Sequence, residues 1–270
     1  MKLSYHFFHD ILSKRSFFMK ITTLMDDQPS SSFKNEHGLS FYIQAHNTNI
    51  LFDTGASFLY LENARKLSLP IEEVDTLIIS HGHYDHTGGL SDFLKINKNA
   101  KIYMQKDALL PHYHDKKYIG IDPTLDLSSR VTFLSSSKKI NDHLYLLSEL
   151  SYPQDGMYEG EDHHLDPFLH EQSLIIDEEI LIAGCAHNGI MHIINAFHDH
   201  FHHYPRLVIG GFHLRSKKDL EGCEELAYAL KKTKATFYTG HCTSDEAYKK
   251  MKPIMNDQLH RFHIGESINH

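Results

Sequence analysis

The sequence predicts an α/β fold in which mixed sheets are layered with helices, and three observations carry this. Apolar strand-like runs alternate with stretches of helical spacing along the chain. The 270 residues are 41% hydrophobic, enough to bury a substantial core in one large domain or two small ones. The segment His81-Gly-His-Tyr-Asp-His-Thr-Gly-Gly-Leu90 places three imidazoles and a carboxylate directly after an apolar run, where a sheet end would hold them rigidly.

The elements follow in order. Residues 20–25, 39–45 and 49–53 read as strands, and 57–67 as a helix. The β-branched run at 76–79 reads as a buried strand, and 90–96 has the apolar spacing of a helix. Strands are then expected at 101–105, 131–134, 144–147, 173–176 and 179–183, with helices near 190–202, 217–232 and 244–251. Strands at 206–211, 236–238 and 261–264 complete the sheets. Segments 107–129 and 151–170 are the least regular, and such loops are where lids and substrate contacts live.

The histidine motif reads as a metal site. In an extended exit from a strand, His81 and His83 lie two residues apart and point the same way, so both can reach one ion, while Asp85 and His86 can serve a second. Hard and borderline donors together suit Zn²⁺, Mn²⁺ or Fe²⁺. Gly88 and Gly89 are expected to let backbone approach the ions closely. His187 and His241 each follow a strand-like run, as the first motif does, and are expected to complete the centre.

The net charge of −8 and the lack of a dense basic tract argue against a nucleic-acid surface, and no membrane span is expected; a small anionic substrate fits, since metals supply positive charge. Three cysteines without framework spacing fit a reducing cytoplasm. Charged residues interrupt the apolar N-terminus, so it lacks a signal-peptide core.

The H-x-H-x-D-H motif, preceded by Leu51-Phe-Asp-Thr-Gly55, resembles the metallo-β-lactamase-fold hydrolases. Glu36-His-Gly-Leu-Ser40, Gly184-Cys-Ala-His187, Gly210-Gly-Phe-His-Leu214 and Gly240-His-Cys242 are similar to a narrower subgroup resembling dihydropterin-ribofuranosylaminobenzene phosphate synthase. The resemblance implies a four-layer αββα sandwich of two mixed β-sheets flanked by helices. It also implies a single domain over residues 19–270, because the family's usual first strand begins near Met19, with residues 1–18 as an extension.

By the same resemblance His81, His83 and His187 hold one ion and Asp85, His86 and His241 the other, giving two divalent ions, zinc first and manganese or iron as alternatives. The family's bridging Asp has no clear match, so Asp166 and Cys185 both stay open for that place. Asp53 either orients a ligand imidazole or caps the following helix. Asp85 is expected to orient the nucleophile as well as bind an ion. His213 is expected to bind a substrate phosphate or protonate the leaving group, and His37 is a weaker candidate of that sort. The run at 198–203 reads as a solvated helix end, and His112, His114, His163 and His164 are unassigned.

The function expected is a metal-dependent hydrolase using activated water on a small phosphoester or other ester. Alternatives are a pterin diphosphate-dependent transferase, a mononuclear iron oxygenase and a non-catalytic metabolite sensor.

Overall fold

A computed structural model of the chain describes residues 19–127, 130–154 and 156–270. The expected extension at 1–18 lies outside the described residues. Two seven-stranded sheets dominate. The first runs, edge to edge, through Ser267–Asn269, Lys20–Met25, Ser40–Ala45, Thr48–Phe52, Thr76–Ile78, Lys101–Gln105 and Val131–Leu134. Its first three pairings are antiparallel and its last three parallel. The second runs through Leu259–Arg261, Thr236–Thr239, Leu207–Ile209, Ile180–Ile182, Ser173–Ile176, Leu144–Leu147 and Lys138–Lys139. Here the first three pairings are parallel and the rest antiparallel.

Period-two alternation explains the layering. Phe41, Ile43, Ile50 and Phe52 point from the first sheet toward Leu146, Leu174, Ile182 and Ile209 of the second, forming the core between the sheets. The intervening Tyr42, Leu51 and Leu77 face outward and pack against Tyr60 and Ala64 of the helix Leu59–Lys66 and Leu90 and Phe93 of the helix Leu90–Ile96. On the far side Leu181, Val208 and Phe237 meet the helices Ile190–Phe201, Cys223–Lys232 and Asp245–Met255. The result is a four-layer αββα sandwich.

Some elements differ from expectation. The helix expected over 217–232 breaks at Gly222 into Lys217–Glu221 and Cys223–Lys232. The strand expected at 261–264 lies instead at Leu259–Arg261. The last strand, Ser267–Asn269, was not legible because its partner Lys20–Met25 is about 245 residues away in sequence. The irregular segments hold a small four-stranded sheet of His164–Leu165, Met157–Glu159, His112–His114 and Lys117–Tyr118, whose strands are too short to show a period. Gly88 and Gly89 allow close backbone packing: a Cβ on Gly88 would lie 2.1 Å from the Ala56 carbonyl oxygen, and one on Gly89 2.3 Å from that of Thr54. Among the described residues no helix is long and apolar enough to cross a membrane.

Candidate metal centre

Parallel pairing brings the carboxyl ends of several strands to one edge of the sandwich, and the chemistry-bearing residues lie just beyond them. Asp53 follows Thr48–Phe52 and His81 follows Thr76–Ile78; Cys185 and His187, His213, and His241 follow Ile180–Ile182, Leu207–Ile209 and Thr236–Thr239. Four residues in these exits have left-handed backbone: Asp53 (φ 58°), Ala186 (φ 57°), His213 (φ 49°) and Cys242 (φ 53°). Such strain in non-glycine residues persists where the surroundings impose it.

The first donor group is His81, His83 and His187. His81 Nδ1 bonds the Ser80 hydroxyl at 2.8 Å, and His81 Nε2 lies 3.1 Å from His83 Nδ1. Both nitrogens of His187, and Nε2 of His83, are buried with no hydrogen-bond partner among the described residues. An unmet buried polar atom costs about 1–3 kcal/mol. Burial pushes the pKa of all three imidazoles well down, which favours the neutral form that can offer a lone pair.

The second group is Asp85, His86, Cys185 and His241. His86 Nδ1 lies 2.7 Å from Asp53 Oδ2, and His241 Nδ1 bonds Asp27 Oδ1. A carboxylate accepts, so in each neutral ring the proton sits on Nδ1 and Nε2 is bare. These two bare nitrogens are 3.2 Å apart. Cys185 Sγ lies 3.2 and 3.3 Å from them, and Asp85 Oδ2 3.5 and 3.3 Å. Four groups that can each offer an electron pair thus face one another, an arrangement that a cation between them would satisfy. Tetrahedral bonds of ~2.0–2.3 Å imply donor separations of about 3.3–3.8 Å, so the residues present fit a zinc-sized ion. Burial opposes charge on Asp85, but His86 and His241 hold its carboxyl well below the usual carboxylate range. Burial likewise opposes charge on His241, yet Asp27 and Asp85 hold its pKa well above the ordinary value, so without a metal a proton takes the cation's place.

Dedicated carboxylates hold the loops that carry these donors. Asp53 accepts from the Ser80 amide at 2.7 Å and the Ser80 hydroxyl at 2.6 Å as well as from His86. Glu171, buried, accepts from the amides of His187 and Asn188, each at 2.8 Å, and from the Asn188 side chain at 2.9 Å. Between Cys185 and His187, the left-handed Ala186 sends the thiol to one group and the imidazole to the other. Gly184 leaves room for this turn, since a Cβ there would lie 2.3 Å from Ser80 Oγ.

The structure thus brings together His81, His83 and His187, and separately Asp85, His86 and His241, with Cys185 added to the second set. Asp166 is not in that set; its carboxylate lies with His83, His112 and His170. Asp53 orients His86, and the N-cap position of the helix Leu59–Lys66 is Phe58, which makes no side-chain cap. The His213 ring lies 4.2 Å from that of His187, and burial pushes its pKa down to about 4. His37 gives its Nδ1 proton to Asp27 at 3.0 Å, and its Nε2 lies 3.3 Å from Asp85 Oδ2 and accepts from Arg215 at 3.2 Å. His198 and His200 are at the end of the helix Ile190–Phe201. Sequence reasoning missed Asp27 and Glu171 and left His112 unassigned. The first two carry no motif, and His112 sits in a segment without periodicity.

The sequence profile of the metallo-beta-lactamase superfamily matches residues 34–241. An uncharacterized protein of Methanocaldococcus jannaschii is 28% identical over 272 residues, covering 92% of this chain and 99% of that protein. The 7,8-dihydropterin-6-methyl-4-(beta-D-ribofuranosyl)-aminobenzene-5'-phosphate synthase of the same organism is 29% identical over 283 residues, covering 93% of this chain and 96% of its own length. The crystal structure of Tm1679, a metal-dependent hydrolase of the beta-lactamase superfamily, aligns with a TM-score of 0.79 at 29% identity, over 93% of this chain and 98% of that one. The profile match spans most of the chain, and the fold agrees with it: this chain belongs to the metallo-beta-lactamase superfamily.

Proposed function

We propose that this chain is a binuclear metal-dependent hydrolase acting on a small anionic phosphoester or related ester. The observation that carries this reading is the pair of buried donor groups at one edge of the sandwich, one of three imidazoles and one of two imidazoles, a carboxylate and a thiol. His81, His83 and His187 would hold one ion and Asp85, His86, Cys185 and His241 the other. The mixed nitrogen, oxygen and sulfur set favours zinc. When bound, such ions supply a water that ionises near neutral pH and polarise the substrate oxygen.

The remaining steps fall to the chain's own groups. Asp85 accepts a hydrogen bond from the nucleophile and orients it. His213, neutral because it is buried, donates a hydrogen bond to the leaving group's oxygen. Arg215, tied to His37, attracts the anionic substrate. The free thiols Cys185, Cys223 and Cys242 suit a reducing compartment, the cytoplasm.

The identity with the synthase favours a second reading, in which the same groups assist departure of a diphosphate while an aromatic acceptor attacks. Metal content of tag-free protein by inductively coupled plasma mass spectrometry, with hydrolysis of a nitrophenyl phosphodiester, a phosphomonoester and a lactone, separates the readings. Two zinc ions per chain with turnover of one ester are expected, and His213→Gln should lower kcat about 100-fold while keeping both ions. Two ions without ester turnover, but with pyrophosphate release from a pterin diphosphate, would replace the hydrolase by the transferase. A single iron with oxygen consumption would overturn both.

A further inference from the structure

Beside the first donor group lies a cluster that the proposed chemistry does not use: His112, Asp166 and His170, all fully buried. Asp166 Oδ2 is 3.0 Å from His112 Nδ1 and 3.1 Å from His170 Nε2, and Asp166 Oδ1 accepts from the Phe168 amide at 2.7 Å. The decisive contact is at the other side of His170, whose Nδ1 lies 3.0 Å from the Gly82 amide nitrogen. That amide can only donate, so Nδ1 is the bare nitrogen of His170 and Nε2 carries the proton given to Asp166. His170 therefore has no lone pair to offer a cation inside the cluster. His112 faces an acceptor from each ring nitrogen, the Asp107 carbonyl 3.2 Å from Nε2 and Asp166 Oδ2 3.0 Å from Nδ1, so at least one N–H is donated into the cluster. Although His83 and these three residues have donor atoms within 4.8 Å of one another, both nitrogens of His170 are taken by the Gly82 amide and Asp166, which makes His170 a brace and not a ligand.

Gly82 is the residue between His81 and His83. Its surroundings admit no side chain: a Cβ there would lie 2.5 Å from the Ala108 carbonyl oxygen and 2.9 Å from His112 Nε2. The backbone of the H-x-H turn is thus pressed against the 107–112 segment and gripped through its amide by His170. We infer that Asp166 is a positioning residue which, through His170 and the Gly82 amide, holds His81 and His83 in register for the first ion. This gives the two irregular segments a task at the metal centre, since His112 comes from one and Asp166 and His170 from the other.

The inference rests on metal binding by the first group, and not on hydrolysis. Metal-free full-length protein is titrated with Co²⁺ against a chromophoric chelator for wild type, Asp166→Asn and His170→Gln. The glutamine keeps a donor for Asp166 but has no acceptor at the Nδ1 position. Both variants are expected to weaken one of two Co²⁺ equivalents about 10- to 100-fold, the range for loss of a ligand's hydrogen-bond partner, and to leave the other unchanged. In the metal-free state, amide hydrogen exchange at Gly82 should accelerate in both. Unchanged affinities would overturn the inference, as would full affinity in His170→Gln alone or equal loss of both equivalents. A third Co²⁺ equivalent lost in Asp166→Asn would make Asp166 a ligand instead. Wild type that binds two Co²⁺ without turning over any ester would fail the proposed hydrolase and leave the brace standing, and the Gly82 exchange test needs no metal at all.

Discussion

Asp53 Oδ2 lies 2.7 Å from His86 Nδ1, with both side chains fully buried. One carboxylate thereby sets the tautomer of a candidate ligand and aims its Nε2 at Cys185, Asp85 and His241. The same carboxylate holds Ser80, whose hydroxyl meets His81 Nδ1, so Asp53 reaches both donor groups. Asp53→Ala should weaken zinc binding by the second group about 10- to 100-fold, with a smaller effect on the first, as read by competition with a chelator. Equal affinities in variant and wild type would remove Asp53 from this role.

Cys185 is expected to bind metal as a thiolate despite its burial, which pushes the thiol pKa well up in the metal-free chain. The Co²⁺ form should show thiolate-to-metal charge-transfer absorption, and Cys185→Ser should abolish it and weaken the second ion by at least about tenfold. Persistence of the band in the variant would point to Cys242, whose thiol contacts the Cys185 carbonyl.

Glu171 accepts three N–H bonds at the turn carrying His187. Glu171→Gln sets an amide donor against those donors, which should destabilise the fold by about 1–3 kcal/mol and lower Tm by roughly 2–4 °C per kcal/mol. Thermal unfolding followed by circular dichroism measures this. Because His187 belongs to the first group, that ion should also bind more weakly.

Chelation should lower stability for a mass-action reason. The groups converge only in the folded chain, so zinc at about 100 times its Kd adds about 2.7 kcal/mol per ion. A Tm independent of zinc concentration would show that the donors do not bind it.

Much of the scaffold was legible from local pattern. The alternation at 39–45 and 49–53 reflects strands with one face between the sheets and the other under helices, a relation written into adjacent residues. The short segment from Thr76 to Ile96 likewise contains its strand, its ligand turn and its helix. The small sheet was not legible, since strands of two or three residues carry too few side chains to show a period.

By itself, then, the sequence determined the layered α/β class and the residue types of the candidate metal centre, because periodicity and ligand chemistry are local properties. The partition of those residues was decided only by tertiary structure. Ala186 in left-handed backbone parts Cys185 from His187, Asp27 meets His241 across 214 positions, and Asp166 is held by His112 and His170 outside the donor group of Asp85, His86, Cys185 and His241. Such pairings depend on how parallel strands align their carboxyl ends in space, and no pattern of neighbouring residues encodes that distance.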